Sequence, residues 1–160
     1  VNLGCTVNSK GAEWSPYLLK VQGKTSLFFS SDGFGGEGGQ DIFMSRKGAN
    51  GFEDPIAQSQ VNTPSNDFRP NLRKDGLEIV FDSDRPGGVG ATDVYSSTRA
   101  TLHSRWDEAW LVTQGGVNSK AGESRASLSA DGTTLYFGSS RNGGQSDIFS
   151  ATRTRLADAG

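Results

Sequence analysis

Three short phrases recur along this chain, always in the same order. "QDIFMS" at 40–45, "TDVYSS" at 92–97 and "SDIFSA" at 146–151 set Asp41, Asp93 and Asp147 at separations of 52 and 54 residues. "TVNSKGAE" at 6–13, "QVNTPSND" at 60–67 and "GVNSKAGE" at 116–123 place Asn8, Asn62 and Asn118 at separations of 54 and 56. "SLFFSSDG" at 26–33, "EIVFDSDR" at 78–85 and "TLYFGSSR" at 134–141 bring Phe29, Phe81 and Phe137 into register. A chain built this way stacks copies of one supersecondary unit, each burying a face that it cannot bury alone.

The unit is made of strands. "DGLEIVFDSDR" opens on an Asp-Gly turn and alternates Leu77, Ile79 and Phe81, the period-two signature of a half-buried strand. "DGTTLYFGSSR" repeats the pattern with Leu135 and Phe137. A Gly-rich turn and a short strand such as Asp93-Val94-Tyr95 follow, then a polar stretch led by Phe52 or Trp106 toward the Val-Asn phrase. "WSPYL", "FRPNL" or "SRASL" begins the next unit, and no window of ten or more residues carries a 3.6-residue period. Four antiparallel strands per unit of about 50 residues predict an all-β fold of β-propeller blades.

The expected single domain spans 1–160, with blade units at 10–63, 64–119 and 120–155. The last unit ends after its third strand, and an unattached Val-Asn phrase lies in residues 1–9. The total is three blades' worth, whereas rings typically hold about 4–8. Two copies related head to tail would make six blades, each N-terminal strand 1–9 completing the partner's last blade. The alternative partner is the remaining part of a longer propeller.

Composition removes several function classes. Sixteen Lys and Arg against eighteen Asp and Glu give a net charge of −2 with no basic stripe, so no nucleic-acid partner is expected. The apolar runs, such as Leu27-Phe28-Phe29, reach at most four residues, where a membrane span needs about 20. The one cysteine, Cys5, permits no internal disulfide. "NLGC" is reminiscent of a lipoprotein cleavage box but follows no apolar segment, and the chain starts at Val1 as a processed protein or an excised piece would.

Unit two reads Pro70-Asn71-Leu72, Asp75-Gly76, Phe81-Asp82-Ser83-Asp84-Arg85, Gly87-Gly88 and Asp93-Val94-Tyr95. This series resembles the TolB-like, WD-like β-propeller repeat of bacterial envelope proteins. Unit three keeps the pattern with Ala126 for the proline, while unit one has Gln22-Gly23 for Asp-Gly and Gly33 for the arginine. The resemblance implies a propeller scaffold in the periplasm or outside the cell that binds proteins or glycans. Fold alone does not fix function.

The residues with chemistry to offer are few. No helix follows the Gly-rich turns, so they read as turns rather than phosphate cradles. Asp32, Glu37 and Asp41 in "SDGFGGEGGQD", and separately Asp82 and Asp84 in "DSD", are the candidate oxygens for Ca²⁺, although the spacing fits no EF-hand loop. The bland reading has Asp41, Asp93 and Asp147 accepting turn N–H groups, with Arg85 and Arg141 pairing with these or neighbouring acids. His103 sits in a polar loop, and one His with one Cys supplies neither a multi-His metal centre nor a recognisable nucleophile system. No catalytic residue is assigned and no cofactor is expected.

Two functional readings follow. The leading one is a non-catalytic scaffold binding a protein or glycan at the ring's face or mouth, through Trp14, Tyr17, Arg69 and Arg125 at the starts of the channel-lining strands. The alternative is a glycosidase-like propeller using inward acids at the equivalent places Glu13, Asp67 and Glu123. Equivalence across three units favours a structural role for those acids, since catalysis normally breaks symmetry. Trp106, Trp110 and Phe68 are assigned to packing between blades.

Overall fold

A computed structural model describes residues 1–154. The fold is three antiparallel sheets stacked in chain order. The first holds β1 (Glu13–Val21), β2 (Lys24–Ser31), β3 (Asp41–Gly48) and β4 (Gly51–Phe52), with β5 (Ile56–Ala57) also pairing with β3. The second runs β6 (Asp67–Leu72), β7 (Glu78–Ser83), β8 (Asp93–Thr98) and β9 (Trp110–Leu111). The third runs β10 (Glu123–Leu128), β11 (Thr134–Ser139) and β12 (Asp147–Thr152). The first strands β1, β6 and β10 lie side by side along the inner edge. This is the blade arrangement that the repeats predict.

Register makes the blades superimposable. Phe28 pairs with Met44, Val80 with Ser96 and Tyr136 with Ser150, each three residues before the pair that joins Ser31, Ser83 or Ser139 to Asp41, Asp93 or Asp147. Side chains therefore alternate toward the preceding and following blade. Leu19, Phe28, Ile42 and Met44 meet Leu72, Ile79, Phe81 and Trp106 between blades one and two. Val80 and Val94 meet Ala126, Leu135 and Phe137 between blades two and three.

The fourth strands are shorter than the repeat suggests, at two residues each. Asparagine side chains take over the ladder. Asn62 accepts from the Ile42 N–H (2.8 Å) and donates to the Ile42 carbonyl (3.0 Å). Asn118 does the same to Val94, at 2.7 and 2.9 Å. A primary amide offers a donor and an acceptor side by side, which is what an open strand edge requires. This is the role of the recurring Val-Asn phrase. Residues 1–9, expected to hold an N-terminal strand, contain a turn instead, closed by N–H groups of Val7 and Asn8 on the Gly4 carbonyl.

Candidate functional site at the inner mouth

Each inner strand carries a bulge one turn into its length, between Trp14 and Tyr17, Phe68 and Asn71, and Ser124 and Ser127. At its centre stands a non-glycine residue in the left-handed region: Ser15 (φ 53°), Arg69 (φ 56°) and Arg125 (φ 56°). Such backbone is uncommon outside glycine, and its recurrence at one repeat position makes it a built feature. The bulges re-aim the arginines at the inner mouth.

Arg69 stacks on Phe68, 4.7 Å from the ring centre, and pairs with Asp82 at 2.9 Å. Asp82 Oδ2 also accepts the Arg125 N–H at 2.9 Å, so one buried carboxylate of blade two joins both bulges. Its other oxygen, Oδ1, has no hydrogen-bond partner among the described residues. Burial pushes the Asp82 carboxyl up to about 6, against the pull of Arg69 and the Arg125 N–H. In the sequence Asp82 stands in "DSD" and reads as a candidate cation oxygen, not as a mouth residue. Its signal lies in the alignment of units, where Ser30 and Gly138 hold the same place.

The four mouth residues differ in what they offer. Trp14 is 51% exposed. Arg125 is exposed, its guanidinium touching Ser124. Arg69 is tied to Asp82. Tyr17 is half-buried and donates its hydroxyl to the Leu72 carbonyl at 2.6 Å, across to blade two.

The inner acids are occupied. Asp67 is buried and accepts from Thr63 N–H and hydroxyl (2.6 and 2.8 Å) and from Arg85 at 2.5 Å. Glu123 is buried among Ser119, Ser139 and Arg141, and although burial raises its carboxyl, hydrogen bonds from Ser119 and Ser139 hold it below the ordinary value. Glu13 accepts from Ser9 and Ser31. Carboxylates whose lone pairs are filled in this way anchor the strand starts, and Glu123, held ionised, is a poor proton donor.

Arg85 and Arg141 reach these acids rather than the turn aspartates, and each also caps a Val-Asn phrase through the carbonyl of Val61 or Val117. Arg85 lies over Phe81 and Tyr95, and Arg141 over Phe137 and Phe149. Asp41 accepts the Gly38 N–H (3.0 Å), and Asp93 accepts those of Val89 and Gly90 (2.8 and 3.1 Å). Asp147 is exposed and accepts from the Asn142 amide at 3.2 Å rather than from a turn N–H. Of the candidate cation ligands, Asp32 accepts the Ala12 N–H and Asp84 accepts from Asn66, and no group of three His, Cys, Asp or Glu converges among the described residues.

Solved structures share this arrangement. TolB from Acinetobacter baumannii matches with a TM-score of 0.64 at 18% identity, over 93% of this chain and 32% of that one. An α-L-arabinofuranosidase from Lactobacillus brevis matches at 0.64 and 10% identity, over 95% of this chain and 56% of that one. A thermostable family-43 glycoside hydrolase matches at 0.58 and 12%, over 97% and 62%. The chain thus spans a third to under two thirds of these structures. It has a β-propeller fold. No protein-family model and no curated protein matches it, and among the described residues no helix is long and apolar enough to cross a membrane.

Proposed function

We propose that this chain is a non-catalytic propeller scaffold that grips a protein or glycan partner at its inner mouth, in the periplasm or outside the cell. The observation that carries this reading is the division of labour there. The acids Asp67, Asp82 and Glu123 are buried and bonded, while Trp14 and Arg125 are presented outward. An exposed indole on blade one and an exposed guanidinium on blade three suit a sugar ring or a peptide group that spans the inner strands. The test is a glycan and peptide array probed with the wild type, Trp14→Ala and Arg125→Ala. Binding that weakens in both variants, with no turnover of the bound compound, supports the reading. Hydrolysis of a bound glycan, or binding indifferent to both changes, overturns it.

The same reading holds that the ring closes through a second copy. Ile42 and Val94, clamped by Asn62 and Asn118, are both 0% exposed, while their counterpart Ile148 is 79% exposed. Tyr136, the counterpart of Phe28 and Val80, lies on the same open face at 51%. Gly38 and Gly90 press against carbonyls of the next blade's leading segment, whereas Gly144 faces open space. At the other end of the stack Val7 packs on Leu27, Phe29 and Phe43, and Asn8 meets only Asn2 among the described side chains. Val7-Asn8 of a second copy fits the open edge of β12 as Val61-Asn62 fits β3. Light scattering should give twice the 17.0 kDa chain mass. Ile148→Asp should return a folded monomer, because that side chain is exposed in the single chain. A folded 17.0 kDa wild-type monomer overturns closure between copies.

A further inference from the structure

The end of the blades opposite the mouth carries a second site, found by comparing two equivalent grooves. Between blades two and three, the buried Glu78 carboxylate is clamped by Arg153 at 2.7 and 2.6 Å and by Arg73 at 3.3 Å. Arg153 is steadied by a bond from Nε to the Gly132 carbonyl. Between blades one and two, Arg99 takes the same pose, its Nε on the Gly76 carbonyl at 2.8 Å. The register puts Ser26, paired with Arg46, where Glu78 pairs with Thr98. The arginine is kept and its acid is missing.

The space this leaves is a cavity of about 830 Å³ over Phe28 and Met44. Six groups that can be cationic line it, Lys24, Arg46, Lys47, Arg99, His103 and Arg105, against one acid, Glu53. None of the lysines and arginines among them makes an ion pair with a described residue. Arg99 lies 4.2 Å above the buried Trp106 ring, whose N–H is fixed on Gln58, so its guanidinium is held in place before any ligand arrives. Burial and then the neighbouring Arg46 charge make Arg99 easier to deprotonate than an ordinary arginine, with Asp75 opposing. Asp75 itself is engaged by Arg73 at 2.8 Å. Cations crowded in a pocket of ligand size, with an apolar floor and a single acid against them, constitute an anion site.

We propose that this groove binds a small multivalent oxyanion, carboxylate or phosphate, whose charged group takes the place on Arg99 and Arg46 that Glu78 takes on Arg153 and Arg73. The proposal is independent of the mouth, which lies at the other end of the strands. Calorimetric titration at low ionic strength, with citrate in one arm and pyrophosphate in the other, tests it. One site per chain is expected for at least one anion, and the tighter arm assigns the chemistry. Ser26→Glu, which restores the missing acid, should abolish that binding, and Arg46→Gln should weaken it roughly tenfold. Lys120→Gln, a change in an exposed loop of blade three, should leave it unaltered. Circular dichroism checks that Ser26→Glu folds; if it does not, Arg46→Gln decides. Unchanged binding in the folded Ser26→Glu or in Arg46→Gln, equal weakening by Lys120→Gln, or no binding in either arm overturns the proposal.

Discussion

Replacing Asp82 by asparagine should stabilise this protein at neutral pH, although Asp82 makes an ion pair. The carboxyl is 3.8 in its ordinary state and about 6 in the fold, because burial outweighs the help from Arg69 and the Arg125 N–H. Between those values the folded protein holds a proton that the unfolded chain has released. Stability then falls as pH rises through the window and levels off above about 6. The rise spans roughly two pH units, or about 3 kcal/mol at 1.36 per unit. Asparagine mimics the protonated acid, keeping an oxygen for the Arg125 N–H and carrying no charge at any pH. The two proteins should therefore unfold alike near pH 4 and diverge toward pH 7, with Asp82→Asn ahead by up to about 3 kcal/mol. Urea denaturation followed by tryptophan fluorescence, at one protein concentration from about pH 4 to about pH 8, measures the difference. Taking the difference removes the opposite slope from Glu123, held low in both proteins. A difference that stays constant, or that favours the wild type increasingly as pH rises, refutes the reasoning and shows that the Arg69 pair outweighs desolvation.

Asn62→Ala should cost about 1–3 kcal/mol in the same assay, since it strands the N–H of the buried Ile42, whose carbonyl keeps the Gln58 N–H. Arg85→Ala should cost about 3–5 kcal/mol, because Asp67 is left buried without its counterion and the Val61 carbonyl loses a donor. Gly90→Ala should prevent a stable fold, read as loss of the cooperative transition: a Cβ there would sit 1.7 Å from the Ala121 carbonyl oxygen.

The blades were legible in the sequence because each phrase has one physical task that tolerates little change. Ile79 and Phe81 line one buried face of β7 as the alternation predicts, while the burial of Glu78, Val80 and Asp82 on its other face goes beyond it, and the Asp-Gly turn had to admit φ of +75° at Gly76. What could not be read was the reach of a side chain across space. "QVNTPSND" announces a repeat, but that Asn62 substitutes for most of a fourth strand depends on Ile42, twenty residues away. The bulges were hidden for another reason. Ser15, Arg69 and Arg125 share a left-handed backbone without sharing a residue type that favours it. Trp14 and Arg125 could be named from their places at strand starts, whereas the commitment of Tyr17 to Leu72 required the second blade.

Repetition supplies an internal reference, and departures from it separate framework from candidate sites. Where all units agree in task, the role is architectural, even when the means differ. Asp67 with Arg85 and Glu123 with Arg141 do for their strands what Glu13 does with Ser9 and Ser31, and unit one dispenses with the arginine because Gly33 lets the Ser9 segment approach closely. A departure that leaves a neighbour's charge without its counterpart is of another kind. Ser30, Asp82 and Gly138 share one place, and only Asp82 gives a buried carboxylate beneath the mouth; Ser26, Glu78 and Thr134 share another, and only Glu78 neutralises the arginine of the following blade. Arg99 kept its bond to Gly76 and its seat on Trp106 while facing a serine. A purely structural arginine in that position would gain from the acid that blade two supplies, so Ser26→Glu serves as both the test of the anion site and the measure of what the groove forgoes by staying open.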